Sequence, residues 1–276
     1  KRLRCGEVPI YEPGLDELLR DGISSGELSF TASARECVAD AAAVFLAVGT
    51  PSLPNGDIDL SQLDGAARSV APHLKSGAVV IVKSTVSAGT SSRIREVIAE
   101  TRRSLDFSVA SNPEFLREGS AIDDFMCPDR IVFGADDPRA SATLREIYAP
   151  LAKTGVPVLA TTTTNAELIK HAANAFLALK IGFINDVSDL CEQAGADVMA
   201  VAEGIGLDRR IGQNFLTPGP GFGGSCFPKD TRAFAATGRR LGTRQGLVEL
   251  LIERNEMRKR RLAERIISEA GLRHGA

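Results

Sequence analysis

The first 160 residues alternate strand-length apolar runs with helix-length amphipathic stretches, and this alternation constrains the fold more than any other feature of the chain. AAAVFLAV (41–48), GAVVIVKS (77–84), LDFSVAS (105–111), RIVFG (130–134) and VPVLAT (156–161) are rich in β-branched residues and short enough for single strands. Between them lie LSQLDGAARSVAPHL, GTSSRIREVIAETRR and PRASATLREIYAPL, with apolar residues at helical spacing. Strands alternating with helices predict an α/β fold built on a parallel sheet. Strands that are continuously apolar, without in-out alternation, predict helices on both faces.

After Thr161 the pattern becomes helical throughout. TTTTNAELIKHAANAFLALKIGFINDVSDLCEQAG reads as one long helix, capped by Thr164 or Asn165 and stopped by Gly195. A short helix over ADVMAVAEGIG, a Gly/Pro loop, a helix over PKDTRAFAATGRRLG and a long charged helix to the end follow. The expected organisation is an α/β domain over 1–161 and a helical domain over 162–276.

Composition removes several function classes. Lys and Arg number 33 against 35 Asp and Glu, so bulk charge gives no attraction for nucleic acid or an anionic membrane. The longest apolar run is strand-sized, and no signal peptide is visible. Cys5, Cys37, Cys127, Cys191 and Cys226 are scattered without a CxxC, which predicts a reducing cytoplasm and no disulfide framework. The three histidines form no HExxH, so no metal site is expected. The chain opens on Lys1 with no strand ahead of KRLRCGEVPIYEPGLDELL, and reads as an excerpt of a longer protein.

Open parallel sheets bind ligands at the carboxyl ends of their strands. VGTPS, KSTVSAGT and SNPEFLREG follow three of the runs and bring Thr and Glu side chains to that edge. Lys170 and Asn174 fall one turn apart among alanines, with Glu167 able to share their side; they form either a solvated pair or part of a site.

In PGPGFGGSCFPKD (218–230), Gly221, Gly223 and Gly224 allow close backbone approach, and Pro228 suits a first helical turn. Cys226 therefore falls at a helix N-terminus, where the dipole and Lys229 favour an anion and Asp230 opposes it or orients Lys229 or a water. The alternatives are an inert buried thiol, which Cys37 and Cys191 suit better, or half of a metal site. Gly219, Gly221 and Gly224 spell GxGxxG, but no strand precedes them, so they are not a phosphate cradle.

Eight motifs, in this order, span essentially the whole chain: GEVPIYEPGLDELL, VGTPS with GDIDLSQL, VKSTVSAGT, SNPEFLREGSAIDDF, PDRIVFG, NAELIKHAANAFLALKIGFIND, IGLDRRIG and PGPGFGGSCFPKD. On them the sequence resembles the UDP-glucose/GDP-mannose dehydrogenase family. Phe222, Ser225, Phe227 and the PKD ending resemble its UDP-glucose 6-dehydrogenase branch. The resemblance implies a partial Rossmann-like domain followed by an all-helical central dimerisation domain. It implies NAD-dependent, four-electron oxidation of UDP-glucose to UDP-glucuronate through a thiohemiacetal and a thioester on Cys226.

Lys170 and Asn174 would stabilise the oxyanion at C6, while Glu118, Thr85 and Asp230 would handle protons and the hydrolytic water. Thr50, Thr85, Glu118 and Lys229 would touch NAD. Glu114, Phe115, Leu116, Arg117, Glu118, Lys170 and Asn174 would hold the sugar nucleotide with Phe215, Leu216, Thr217, Pro218, Gly219 and Gly223. Arg210 would reach a neighbouring subunit's site, and the helix after Thr161 would form the core of a homodimer. The family's first β-α-β, with its glycine fingerprint, and its UDP-binding carboxyl-terminal domain are expected outside this chain, leaving the excerpt alone inactive. The rival readings are a GDP-mannose 6-dehydrogenase and a non-catalytic, dimerising remnant.

Overall fold

All five apolar runs form strands of one sheet: β1 (Ala43–Leu46), β2 (Ala78–Val82), β3 (Phe107–Ser111), β4 (Ile131–Ala135) and β5 (Val158–Thr161), in spatial order β1-β2-β3-β4-β5. This computed structural model describes residues 2–271; Lys1 and residues 272–276, where the two expected domains begin and end, lie outside it. By contacts the chain divides into two units. The first holds the residues up to Thr50 with Asp59–Lys170; the second holds Pro51–Ile58 with the residues from His171 onward.

In the first unit, α1 (Leu15–Ser24) and α2 (Ala34–Val38) precede β1, and α3 (Ser61–Val70) and α4 (Thr90–Thr101) flank β2. Next come α5 (Ala121–Met126) before β4, and α6 (Pro138–Ile147) with α7 (Ala149–Ala152) before β5. Every residue of β2 is buried because both faces are covered. Ala78, Val80 and Val82 pack into one core with Leu63, Ala67, Ile94 and Ile98. Val79 and Ile81 pack into a second with Phe133, Ala140 and Leu144. Continuous burial is what the uninterrupted apolar run required.

The sheet is not parallel throughout. β1-β2, β2-β3 and β4-β5 are parallel, but β3 and β4 pair antiparallel through Ala110–Ala135 and Ser111–Gly134. A parallel crossover needs a helix that travels back across the sheet. The segment between β3 and β4 offers only α5, which buries no residue, so the chain turns and descends beside β3.

α8 (Thr163–Ala194) is the long helix that the periodicity predicts. Its cap differs from the expectation: Thr164 and Asn165 are already helical, and Thr162 Oγ1 accepts from the Asn165 amide. Gly195 ends it at φ 68, with the Ala196 amide returning to the Cys191 carbonyl.

The second unit contains α9 (Val198–Gly206), α10 (Phe227–Arg240) and α11 (Gly246–Glu269). Its cores are Ala178, Phe222 and Leu251, and Ile184, Ala202 and Leu216. α11 is bound to acidic residues of α8 through Arg254–Asp186, Arg258–Asp189, Arg261–Asp189 and Arg265–Glu192. Cys191 is buried, whereas Cys37, expected to be buried as well, is exposed together with Cys5, Cys127 and Cys226. Among the described residues no helix is long and apolar enough to cross a membrane.

Candidate active site

Two groups of the expected residues come together, one within each unit. In the first unit the loop after β3 delivers Glu114. Its Oε2 accepts from the Leu116 amide at 2.6 Å and its Oε1 from Lys170 Nζ at 3.0 Å. Phe115 lies between two cations, with the Arg130 guanidinium 4.0 Å and Lys170 Nζ 5.3 Å from its ring centre. Thr50 Oγ1 donates to the Thr85 carbonyl at 2.8 Å, joining the loops that follow β1 and β2. The same 112–120 loop is fixed from far away in sequence. Both carboxylate oxygens of Glu12, in EPGLDELL, accept amides of Gly119 and Ala121.

The second group centres on the thiol. Cys226 is the N-cap of α10 and Pro228 sits in its first turn, as the Gly/Pro pattern predicts. The Asp230 amide donates to the Cys226 carbonyl at 2.8 Å, which places the Asp230 side chain one turn after the thiol. Asp230 is 1 % exposed; its Oδ2 accepts from Asn174 Nδ2 at 2.5 Å and its Oδ1 lies 3.0 Å from Lys229 Nζ. Among the described residues Asp230 Oδ1 accepts no hydrogen bond, so the Lys229 charge and the Asn174 amide are what hold this buried carboxylate. Removing either would cost several kcal/mol, roughly 3–5 for a broken buried pair.

Arg117 grips Asp124 at the surface, Glu118 is exposed, and Arg210, with 89 % of its side chain exposed, pairs with Asp208. Thr217 is exposed, Leu216 is buried, and Phe215 has φ 65. That left-handed conformation costs a bulky residue about 1–3 kcal/mol. Glu167 does not share the Lys170–Asn174 side. Its carboxylate accepts from the Gly89 amide and from the Ser91 amide and hydroxyl, each at 2.7 Å, at the start of α4. Burial pushes its carboxyl up, and the three bonds from Ser91 and Gly89 oppose that.

One group was missed by sequence reasoning. Lys83, directly after β2, donates to Asn112 Oδ1 at 3.1 Å and to Tyr148 Oη at 3.4 Å. With Glu114 and Phe115 these side chains line a cavity of about 40 Å³. Burial lowers the Lys83 ammonium from 10.5 to about 8; Glu114 opposes the shift and Lys170 adds to it. The only available signal was a lysine placed immediately after a fully apolar strand.

Between pH of about 8 and 10.5 the unfolded chain holds a proton that the folded chain has released. Stability from this group therefore rises with pH across that window, and its penalty is full below it. Lys83→Met should raise unfolding free energy at pH 7 by about 1–2 kcal/mol, and the gain should shrink towards pH 10. Urea titrations at the two pH values check this; a gain that grows with pH would overturn it.

The stretches of chain that carry the two groups match profiles of one family. The profile described as "UDP-glucose/GDP-mannose dehydrogenase family, NAD binding domain" covers residues 1–152, and that family's central-domain profile covers 164–257. The chain belongs to the UDP-glucose/GDP-mannose dehydrogenase family.

Among curated relatives, UDP-glucose 6-dehydrogenase of Rhizobium meliloti is 50% identical over 98% of this chain and 62% of its own length. A solved UDP-glucose dehydrogenase from Pyrobaculum islandicum superposes with a TM-score of 0.93 at 46% identity, covering 98% of this chain and 63% of that one. GDP-mannose dehydrogenase from Pseudomonas aeruginosa gives 0.73 at 33%, over 97% of this chain and 63% of that one. The chain thus spans about three fifths of the length of these family members.

Proposed function

We propose that this chain is the NAD-side and central portion of a UDP-glucose 6-dehydrogenase. The observation that carries the reading is an exposed thiol at a helix start, one turn from a buried Asp230 that grips Asn174, one turn beyond Lys170 on α8. The greater likeness to UDP-glucose than to GDP-mannose enzymes supports the substrate.

Short hydroxyls at the ends of β1 and β2 suit the hydroxyl and amide groups of a dinucleotide. Thr50 and Thr85 would hold NAD with Glu118 and Lys229, and NAD, when bound, takes up hydride. This chain's residues supply the rest. Loss of a hydride and a proton from the C6 alcohol would leave an aldehyde. Cys226 Sγ would bond its carbon as the thiol proton passes to the aldehyde oxygen, giving a thiohemiacetal. Loss of a second hydride and a proton would leave a thioester, which water opens, returning the thiol and releasing the carboxylate. The Lys170 ammonium and Asn174 amide would stabilise the oxygen that gains charge in each step. Glu118, Thr85 and Asp230 move protons and hold the hydrolytic water. Glu114, Phe115, Leu116 and Arg117, with Phe215, Pro218, Gly219 and Gly223 of the thiol loop, hold the sugar nucleotide.

A homodimer is part of the reading. Phe176, Phe183 and Leu190 repeat every two turns of α8 and are 63%, 58% and 68% exposed, an apolar stripe that a second copy would cover. Arg210 would then reach the neighbouring site. Free cysteines and a balanced charge support a cytoplasmic location.

Purified full-length protein should form two NADH per UDP-glucose, with GDP-mannose a poor substitute, and should run as a dimer in light scattering. No UDP-glucose-dependent NADH would reject the reading, and a preference for GDP-mannose would move it to the sister activity. The 276-residue chain by itself should show no turnover.

A further inference from the structure

The loop from Phe215 to Ser225 makes no strand or helix of its own, yet four of its backbone groups are bound by three side chains. The Gly219 amide donates to Asn185 Oδ1 at 2.8 Å, and the Gly219 carbonyl accepts from Arg258 Nε at 2.6 Å. The Phe222 amide donates to Asn255 Oδ1 at 2.8 Å, and the Phe222 carbonyl accepts from Asn255 Nδ2 at 3.1 Å. Asn255 thus pairs with one residue as an opposing strand would.

The clamp is itself braced. Asn255 is 6 % exposed, and Arg258 also donates to the Asn185 carbonyl at 3.0 Å and to Asp189 at 2.8 Å. Between the gripped residues Gly221 has φ 128, open only to glycine, and a Cβ there would stand 2.7 Å from Asn255 Oδ1. Phe215 and Phe222 both meet the Phe227 ring edge-on, at 6.0 and 6.3 Å between centres. Phe227 follows Cys226 directly, so the loop's position is carried to the thiol.

Resting on the function proposed above, we propose that Asn185, Asn255 and Arg258 are positioning residues that hold the thiol loop in register for the nucleotide sugar and for attack by Cys226. α11 is then a working part of the site, because the helix that grips the loop also grips α8, which carries Asn174.

The test uses the full-length protein with Asn255→Asp, which keeps the acceptor and loses the donor, and Arg258→Ala. Arg261→Ala is the control, since Arg261 pairs with the same Asp189 but touches no loop residue in the hydrogen-bond network. Four quantities are read: KM and kcat for UDP-glucose, the iodoacetamide alkylation rate of Cys226, and the melting temperature.

Both loop-clamp variants should raise KM or lower kcat by about tenfold or more and change the alkylation rate by a similar factor. Arg261→Ala should move only the melting temperature. Clamp variants that match Arg261→Ala in kinetics and in alkylation would overturn the proposal. If the parent protein does not oxidise UDP-glucose, the function proposed above fails by itself. The alkylation rates still decide the clamp.

Discussion

Cys226→Ser in the full-length protein is expected to cut UDP-glucose-dependent NADH formation by about 10³-fold or more without loss of stability. The stability half follows from the site. The thiol is exposed, makes no cap bond to α10, and lies 3.6 Å from Ser225 Oγ. The second helical position is Pro228, which has no amide to offer, so a serine cap gains at most one bond, and the change in stability should stay within about 0.5 kcal/mol. The activity half follows from nucleophilicity. A hydroxyl stays protonated where a thiol ionises, and an oxygen ester resists hydrolysis more than a thioester. Assays of NADH formation beside thermal melts check both halves, with Cys226→Ala separating residual serine attack from background. A serine variant retaining a tenth of the parent rate would remove Cys226 from the chemistry.

What the sequence made legible follows how local each signal is. The strands were readable because a run buried on both faces must be apolar at every position, as Ala78–Val82 is. The reversal at β4 was not, since it depends on the path between Asn112 and Arg130, and no residue there announces that path. Cys226 at a helix start was readable from Pro228 and the glycines alone. The destinations of Glu167 and Glu12, at Gly89 and Gly119, join segments distant in sequence and leave no local trace. Asn255 and Arg258 were hidden in a different way. They sit in RNEMRKRR, which reads as a solvated face, and only their one-turn spacing on a charged helix sets them apart.

Gly134→Ala is expected to be among the most damaging small substitutions in the first unit, lowering unfolding free energy by about 3–5 kcal/mol. Gly134 lies inside β4 with ordinary backbone angles, so strain at φ is not the reason. A Cβ there would fall 2.2 Å from the Thr162 carbonyl oxygen and 2.6 Å from Thr163 Cα. Those atoms belong to backbone that cannot step aside. The Thr163 amide and hydroxyl are bound to Asp136 at 3.2 and 2.6 Å, and the Thr162 carbonyl accepts from the Ala166 amide at 3.1 Å. The missing side chain lets the first turn of α8 lie directly on β4, and that turn begins the helix carrying Lys170 and Asn174.

Gly65→Ala supplies the contrast. Gly65 is exposed inside α3, a Cβ there meets nothing within 4 Å, and alanine should stabilise by about 0.5–1 kcal/mol through helix propensity. Urea unfolding of both variants reads the opposite signs directly. A loss below about 1 kcal/mol at Gly134 would mean that the start of α8 can shift on the sheet. The close approach would then not be what fixes the helix on which Lys170 and Asn174 depend.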